Sequence, residues 1–586
     1  MNPDCGGSHL PYVATWLPLA DKGAIMLGAI QLGMWDNLIF VAYFVGIMAL
    51  GIYASRKVSS TKRDYFLAGD KLPWWMIGGS IVAANISSHH FMGVIGTAYE
   101  RGFVAICIEW GAILIGFNAL LWIFLPFYLR NGFYTMPEFL QKRFGAGARL
   151  MYAILILTLY IFVEISVVLY LGAMAIDPLF GADINRLLGA DHITIFGVPF
   201  VPSLLLCIVA LAVFTGVYTS IGGLQAVVWT EMVQLVVLIG GGLALAFKTL
   251  QAAGGWSGFM ATSGEWHLLL PANDPAFPWT QYFGEFLCIS IFYCAANQFI
   301  VQRTLAAKNE WHARMGVVFT QYLKFFLPLI IVVPGLLARQ LFPNIEKADT
   351  TFPILVENLL PQGLVGLVMA GLIAAVMSHL SGAVNACTTI LTMDLYLPYI
   401  NPKASEKRAV NFGKIMAAVI MLMGIFWSVI LIQFSNRPIF IYLLDAYGYP
   451  TPGIATMFLL GIFWKRTTHA GAMTAAILTI PLTILIQIFA PRMADLPWAW
   501  AQHATPYITP FANRTGIVFW VCMLAGVLVS LVTKPKPAEE LVGMIWTPGS
   551  MRLPDEARYR RGILRSPALW WAIVTAAVVI MYIRYA

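Results

Sequence analysis

The chain reads as an all-α polytopic membrane protein, and three observations predict that class. Of its 586 residues 59% are hydrophobic and only 11% are charged, with a mean hydropathy of +0.77; a soluble globular chain carries about 25% charged residues. Apolar stretches of about 20 residues, the length that crosses the hydrocarbon core as a helix, recur fourteen times. Basic residues gather in alternate connections between those stretches, the asymmetry that orients membrane proteins.

Taken in order, the first 34 residues carry Asp4 and Asp21 and lack a basic leader, so they make a poor signal peptide and read as a short amphipathic lead-in. Spans are expected near 35–54, 73–97, 103–129, 149–175, 196–216, 225–249, 281–301, 314–342, 362–393, 411–434, 438–464, 469–490, 515–533 and 568–585. With that count, Arg56, Lys57, Lys62, Arg63 and Lys71 share one side with Arg130, Lys142, Arg143 and Arg149. Arg303, Lys308, Arg314, Lys403, Lys407, Arg408, Lys465 and Arg466 fall there too, as do Lys534, Lys536, Arg552, Arg558, Arg560, Arg561 and Arg565. The opposite loops are acidic or neutral, as in DPLFGAD at 177–183. The rule that basic loops stay inside then puts both termini outside. The net charge of +8 is thus a loop bias, not a nucleic-acid signal. The longest inside loop, 534–567, is rich in Pro and Arg and too short for a core, so residues 1–586 form a single transmembrane domain, expected as a monomer in the inner (plasma) membrane. No phosphate-cradling loop points to ATP as a driving force. Six of the seven cysteines lie in apolar spans and none forms a CxxC pair, which leaves neither a disulfide framework nor a zinc site.

The span from Leu72 to Trp110 departs from this regular picture. Gly78, Gly79, Ser80, Asn85, Ser87, Ser88, His89, His90 and Gly93 crowd its middle. Unpaired polar groups in lipid cost several kcal/mol each, so such a segment must be enclosed by helices or line a wet cavity. Broken helices of this kind form substrate and ion sites in secondary transporters, and an unwound stretch is expected around Ser80 to Ser88. Ionisable groups inside spans are functional candidates by default: His89, His90, Glu109, Glu164, Glu231, Lys324, His379, Asp394 and Asp445. Lys324 is equally readable as a solute contact or as the ion-pair partner of Glu109. Glu164 reads as half of a buried pair, Glu231 as a cap or loop partner, and Asp394 as structural. On 362–393, Ser378, Ser381, Asn385 and Thr389 recur at helical spacing on one face; small and hydroxyl residues also hold membrane helices together, which suffices for Ser381 and Asn385.

DYFLAGD at 64–70, AANIS at 83–87, FYTMPEFLQKRF at 133–144, GGLQAVVWTEMVQ at 222–234, NQFIVQRTLAAK at 297–308 and GIFWKRTT at 461–468 resemble the motifs of the sodium/solute symporters, the family of sodium–glucose cotransporters. The resemblance spans about residues 40–490. It implies a LeuT-type core of two inverted five-helix repeats, 73–249 and 281–464, with an N-terminal segment and extra helix at 1–72 and C-terminal helices at 469–586. Helices 73–97 and 281–301 would be the discontinuous pair, with the site between the repeats.

In sugar-transporting members an amide and an imidazole or second amide on the first broken helix hold hydroxyls, with a carboxylate on the next. The matching residues are Asn85, His90 and Glu109, followed by Lys324 and an inner gate at Tyr293. The sequence departs from the sugar pattern at Ser290, at Cys294 beside the gate, and at Leu444, which replaces a sugar-reading Gln. The resemblance implies sodium on the carbonyls of Ala83 and Ile86, the carbonyl of Ala375 and hydroxyls at Ser378 and the next position, with Glu231 passing ions inward. That next position is His379. Sodium prefers oxygen ligands, so the imidazole has three options: to turn aside and leave a four-oxygen site, to sit neutral beside sodium, or to stand protonated in its place, with Glu231 the carboxylate expected nearby. An unperturbed imidazole titrates near pH 6.5, which keeps the third option open. The implied function is cation-coupled import of a small polar solute, a sugar or polyol, with no cofactor beyond the coupling ion and no enzymatic activity. Proton coupling, or a transporter-derived solute sensor, are the alternatives.

Overall fold

The computed structural model describes residues 32–56, 61–189, 192–195, 198–434, 439–554 and 562–586. The lead-in ahead of residue 32 and the loop bases Lys57, Arg558, Arg560 and Arg561 lie outside the described residues. The described chain is helical apart from one short antiparallel strand pair, Ile193–Ile195 with Val198–Phe200.

Among the described residues, ten helices are long and apolar enough to cross a membrane, or eleven if the bent pair Glu285–Ala296 and Gln298–Leu305 counts as one span. This count is below fourteen partly because two continuous helical runs, His90–Asn131 and Pro202–Ala252, hold 42 and 51 residues. At 1.5 Å per residue these are roughly 60–75 Å of helix, about twice the ~30 Å hydrocarbon thickness. Each contains a glycine with positive φ, Gly102 (77°) and Gly223 (54°). At Gly223 an added Cβ would also lie 2.4 Å from the Tyr65 carbonyl oxygen, so the break both requires and accommodates glycine.

Leu364–Ile400 is the central element: 89% of its most apolar window is buried, against 17% for the peripheral Pro567–Arg584. Its first part, Leu364–Ile390, packs on Pro202–Ala252, Met34–Ser55, Ile165–Leu188 and Glu406–Phe434. Two interrupted helices lie beside it. Trp74–Asn85 stops at Ile86, whose backbone is extended (φ −79°, ψ 125°), and the chain resumes through a π-helical turn at His90–Val94. The break is narrower than the expected 80–88 stretch, because Ser80 to Asn85 remain helical. Enclosure by neighbouring helices lets the polar side chains be satisfied without unwinding: the Ser80 hydroxyl, for instance, donates to Glu231. In the second interrupted helix the π-turn Phe292–Ala296 gives way to extended Asn297, whose Oδ1 caps the next helix by accepting from Phe299 N at 2.9 Å. Carbonyls freed at this break accept from Tyr128 Oη (to Ala295, 2.8 Å) and Tyr152 Oη (to Ala296, 2.6 Å), which is how a backbone interruption survives at bilayer depth.

The sequence motifs meet one another in space. Arg143 of the 133–144 motif is fully buried and donates to the carbonyls of Gly461, Trp464 and Thr467 in the 461–468 motif, at 2.9, 2.9 and 3.1 Å. Leu72 pairs by backbone with Ala306 and Lys308, at 3.1 Å each. The 534–567 loop also has fixed contacts. Arg314 donates to the carbonyls of Met551 (2.5 Å) and Ser550 (3.1 Å), Arg130 to that of Arg552 (2.5 Å), and both arginines pair with Glu310.

Candidate functional site

All seven residues expected to contact solute, Asn85, His90, Glu109, Ser290, Tyr293, Lys324 and Leu444, line one cavity of about 120 Å³. The break at Ile86 turns the second half of the interrupted helix so that His90 faces Glu109 on the next helix. Ser87 N donates to His90 Nδ1 at 3.2 Å, which assigns the ring proton to Nε2, 3.0 Å from Glu109 Oε1. The Lys324 ammonium donates to Glu109 Oε2 and to Asn85 Oδ1, and Asn85 Nδ2 donates to Tyr293 Oη at 3.0 Å. Both oxygens of Glu109 are therefore engaged. Lys324 faces the cavity and also neutralises a carboxylate that is 1% exposed, so its two readings coexist in one geometry. Cys294, Glu164 and Tyr447 complete this part of the wall.

Next to the cavity, three of the oxygens expected around sodium converge. Ser378 Oγ lies 2.6 Å from the Ala83 carbonyl oxygen and 3.0 Å from that of Ala375. The Ala83 carbonyl is available because Ser87 N, its ordinary helical donor, is taken by His90. Ile86 is buried at the break itself. His379 is turned away to a different partner: its Nε2 is 2.5 Å from Glu164 Oε1, off the hydrogen-bond direction, and its Nδ1 has no hydrogen bond. Glu164 also accepts from Tyr447 Oη. The carboxylate in contact with His379 is thus Glu164, with Glu231 also within electrostatic range. Glu231 is not a cap or loop partner. It is fully buried, 2.5 Å from Arg303 Nη2, and accepts from the Ser80 hydroxyl. Among the described residues no group of three or more His, Cys, Asp or Glu is arranged to hold a metal ion.

Of the remaining ionisable candidates, Asp394 pairs with Arg149 (2.7 Å) and accepts from Thr135 (2.9 Å), and Asp445 pairs with Arg514 away from the solute cavity. Sequence reasoning missed two cavity residues, Gln281 and Glu285. They sit at the very start of an apolar span, where an acidic residue reads as a loop flank. It likewise counted Arg303 among loop bases although it is 1% exposed.

Residues 65–479 match the profile of the sodium:solute symporter family. The chain belongs to that family. It is 33% identical over 494 residues to the sodium/glucose cotransporter of Vibrio parahaemolyticus, covering 78% of this chain and 86% of the relative. It is 35% identical over 492 residues to the sodium/myo-inositol cotransporter 2 of Sus scrofa, covering 77% and 69%. Its relatives are transporters, not enzymes. The solved substrate-bound, outward-open structure of a Na+-coupled sialic acid symporter superposes with a TM-score of 0.71 at 21% identity, over 86% of this chain and 99% of that one. This symporter-family chain therefore shares the helical polytopic fold of that transporter.

Proposed function

We propose that the protein is a sodium-driven secondary symporter that imports a small neutral polar solute, a sugar or polyol. In this reading it works as a monomer in the inner (plasma) membrane, with fourteen crossings, both termini outside and two inverted repeats over 73–249 and 281–464. Asn85, His90, Glu109 and Lys324 hold solute hydroxyls, since amide, imidazole, carboxylate and ammonium can between them donate to and accept from O–H groups. Ser290 and Leu444 shape the wall, and Tyr293 closes the path inward. Sodium sits on the oxygens of Ala83, Ile86, Ala375 and Ser378, and Glu231 assists its exit.

The observation that carries this reading is that both groups of residues share one broken helix. Ala83, just before the break, accepts from Ser378 on the cation side, while Asn85 and His90 turn to the cavity. A cation bridging Ala83 to Ser378 would hold the break in the conformation that presents Asn85 and His90. The solute then binds an already ordered wall, which is a reciprocal coupling free energy between two sites.

Proteoliposome uptake of glucose and myo-inositol, with and without an imposed sodium gradient, tests the proposal. Accumulation only with sodium outside is expected; equal uptake without it would refute sodium coupling. Proton coupling stands as a second reading because His379 and Glu164 form a fully buried imidazole–carboxylate pair beside the same oxygens. Accumulation in sodium-free buffer that is larger at about pH 6 than at pH 8 would select it.

A further inference from the structure

We propose that Gln281 and Glu285 form a second polar subsite in the cavity, one that accepts hydrogen bonds from the end of the solute remote from Asn85. The inference rests on the cavity being the solute site. Gln281 is 1% exposed and Glu285 is 2% exposed, and both line the same cavity as Glu109. Glu285 lies in that wall with no salt bridge among the described residues. Gln281 Oε1 is a buried oxygen with no partner, while its Nε2 reaches only Cys107 Sγ, at 4.0 Å.

The neighbouring wall holds the rings of Phe277 and Phe286, which have no polar hydrogen to donate. Glu285 lies in the first turn of the Glu285–Ile291 helix, where the helix dipole favours a carboxylate. That effect does nothing for Gln281 Oε1. Glu109 makes the contrast: a cation and an imidazole already occupy its two oxygens. A buried acceptor pair left open in this way is costly unless a ligand completes it. Glu285 and Gln281 line the same cavity as Asn85 and Glu109, and in this proposal a solute held at Asn85 and Glu109 presents its other end to the pair. The complementary chemistry is a cluster of hydrogen-bond donors, either adjacent hydroxyls or an ammonium group.

Dissociation constants of myo-inositol, glucose and glucosamine for the purified protein, measured by thermal shift, test this. Glu285→Ala is expected to weaken the tightest-binding of the three at least tenfold, and Gln281→Leu severalfold. If Glu285→Ala does not yield folded protein, Gln281→Leu decides. A hydroxyl end is indicated if inositol or glucose binds best and Glu285→Gln keeps that affinity within about threefold. An ammonium end is indicated if glucosamine outbinds glucose and Glu285→Gln abolishes the preference; that outcome would uphold the subsite while refuting a neutral solute. Undiminished binding in Glu285→Ala and Gln281→Leu overturns the subsite and leaves the sugar reading intact. A wild type that responds to none of the three overturns both.

Discussion

At the scale of single residues the cavity is a set of charges that only make sense together. Glu109, Lys324, Asn85 and His90 each have at least one partner within the set, so none can be removed without exposing another. Breaking a buried ion pair costs about 3–5 kcal/mol, mostly because the orphaned charge stays in a low dielectric. Glu109→Ala is accordingly expected to abolish uptake and also to lower the melting temperature, since the Lys324 ammonium keeps only Asn85. Restoring neutrality with Glu109→Ala/Lys324→Ala should recover part of the stability but none of the uptake, with a coupling of about 1–3 kcal/mol between the two sites. Additive losses in thermal unfolding would show that the pair contributes no mutual stabilisation.

Elements are held in register by backbone features that side-chain patterns alone do not reveal. Pro202–Ala252 is the example: the two expected spans 196–216 and 225–249 run on as one helix, broken only at Gly223, where the backbone is at φ 54° and ψ −155°. An L-residue there is strained by about 1–3 kcal/mol, and its Cβ would press on the Tyr65 carbonyl. Gly223→Ala should therefore reduce folded yield and melting temperature while Gly240→Ala, where an added Cβ meets nothing within 4 Å, should not. Equal stability of the two variants would mean that the break is not set by this glycine. The two interrupted helices follow the same logic, in that Tyr128, Tyr152 and the Asn297 side chain satisfy the backbone groups that the interruption frees.

For the whole molecule, the central question is how many times the chain crosses. Counting each of the two over-long helices as two crossings, the bent pair as one and the short apolar helix Thr451–Phe463 as one more leads to the proposed fourteen and to a C-terminus on the outside. In a Cys5→Ser background, a cysteine at Ala586 should react with an impermeant maleimide on intact cells, whereas one at Lys536 should react only after permeabilisation. The reverse pattern would mean either a count shifted by one span or an inverted orientation. The same view gives the 534–554 segment a role in assembly: it lies across helix ends from both halves of the chain, tied by Arg130 and Arg314.

Composition, span length and the polar residues at bilayer depth were enough to identify a polytopic membrane protein with a broken helix at its centre, while the family and the seven residues around one cavity came from the resemblance of its motifs. The physical reason is that lipid tolerates so few polar groups that those present must converge. Pairing was a different matter. Lys324 was paired with Glu109 as one of two readings, but Glu231 with Arg303 and His379 with Glu164, 72 and 215 positions apart, were not, because periodicity reports the face and depth of a side chain but not which helix packs against that face. Hence Glu231 read as a cap, Arg303 as a loop base, and Glu164 as half of a pair with no named partner. Hydropathy could not mark Gln281 and Glu285 either, because a residue at the edge of a span is tolerated in water or in protein. Tertiary packing alone decided that these two face the cavity, and that Gln281 Oε1 has no hydrogen-bond partner among the described residues.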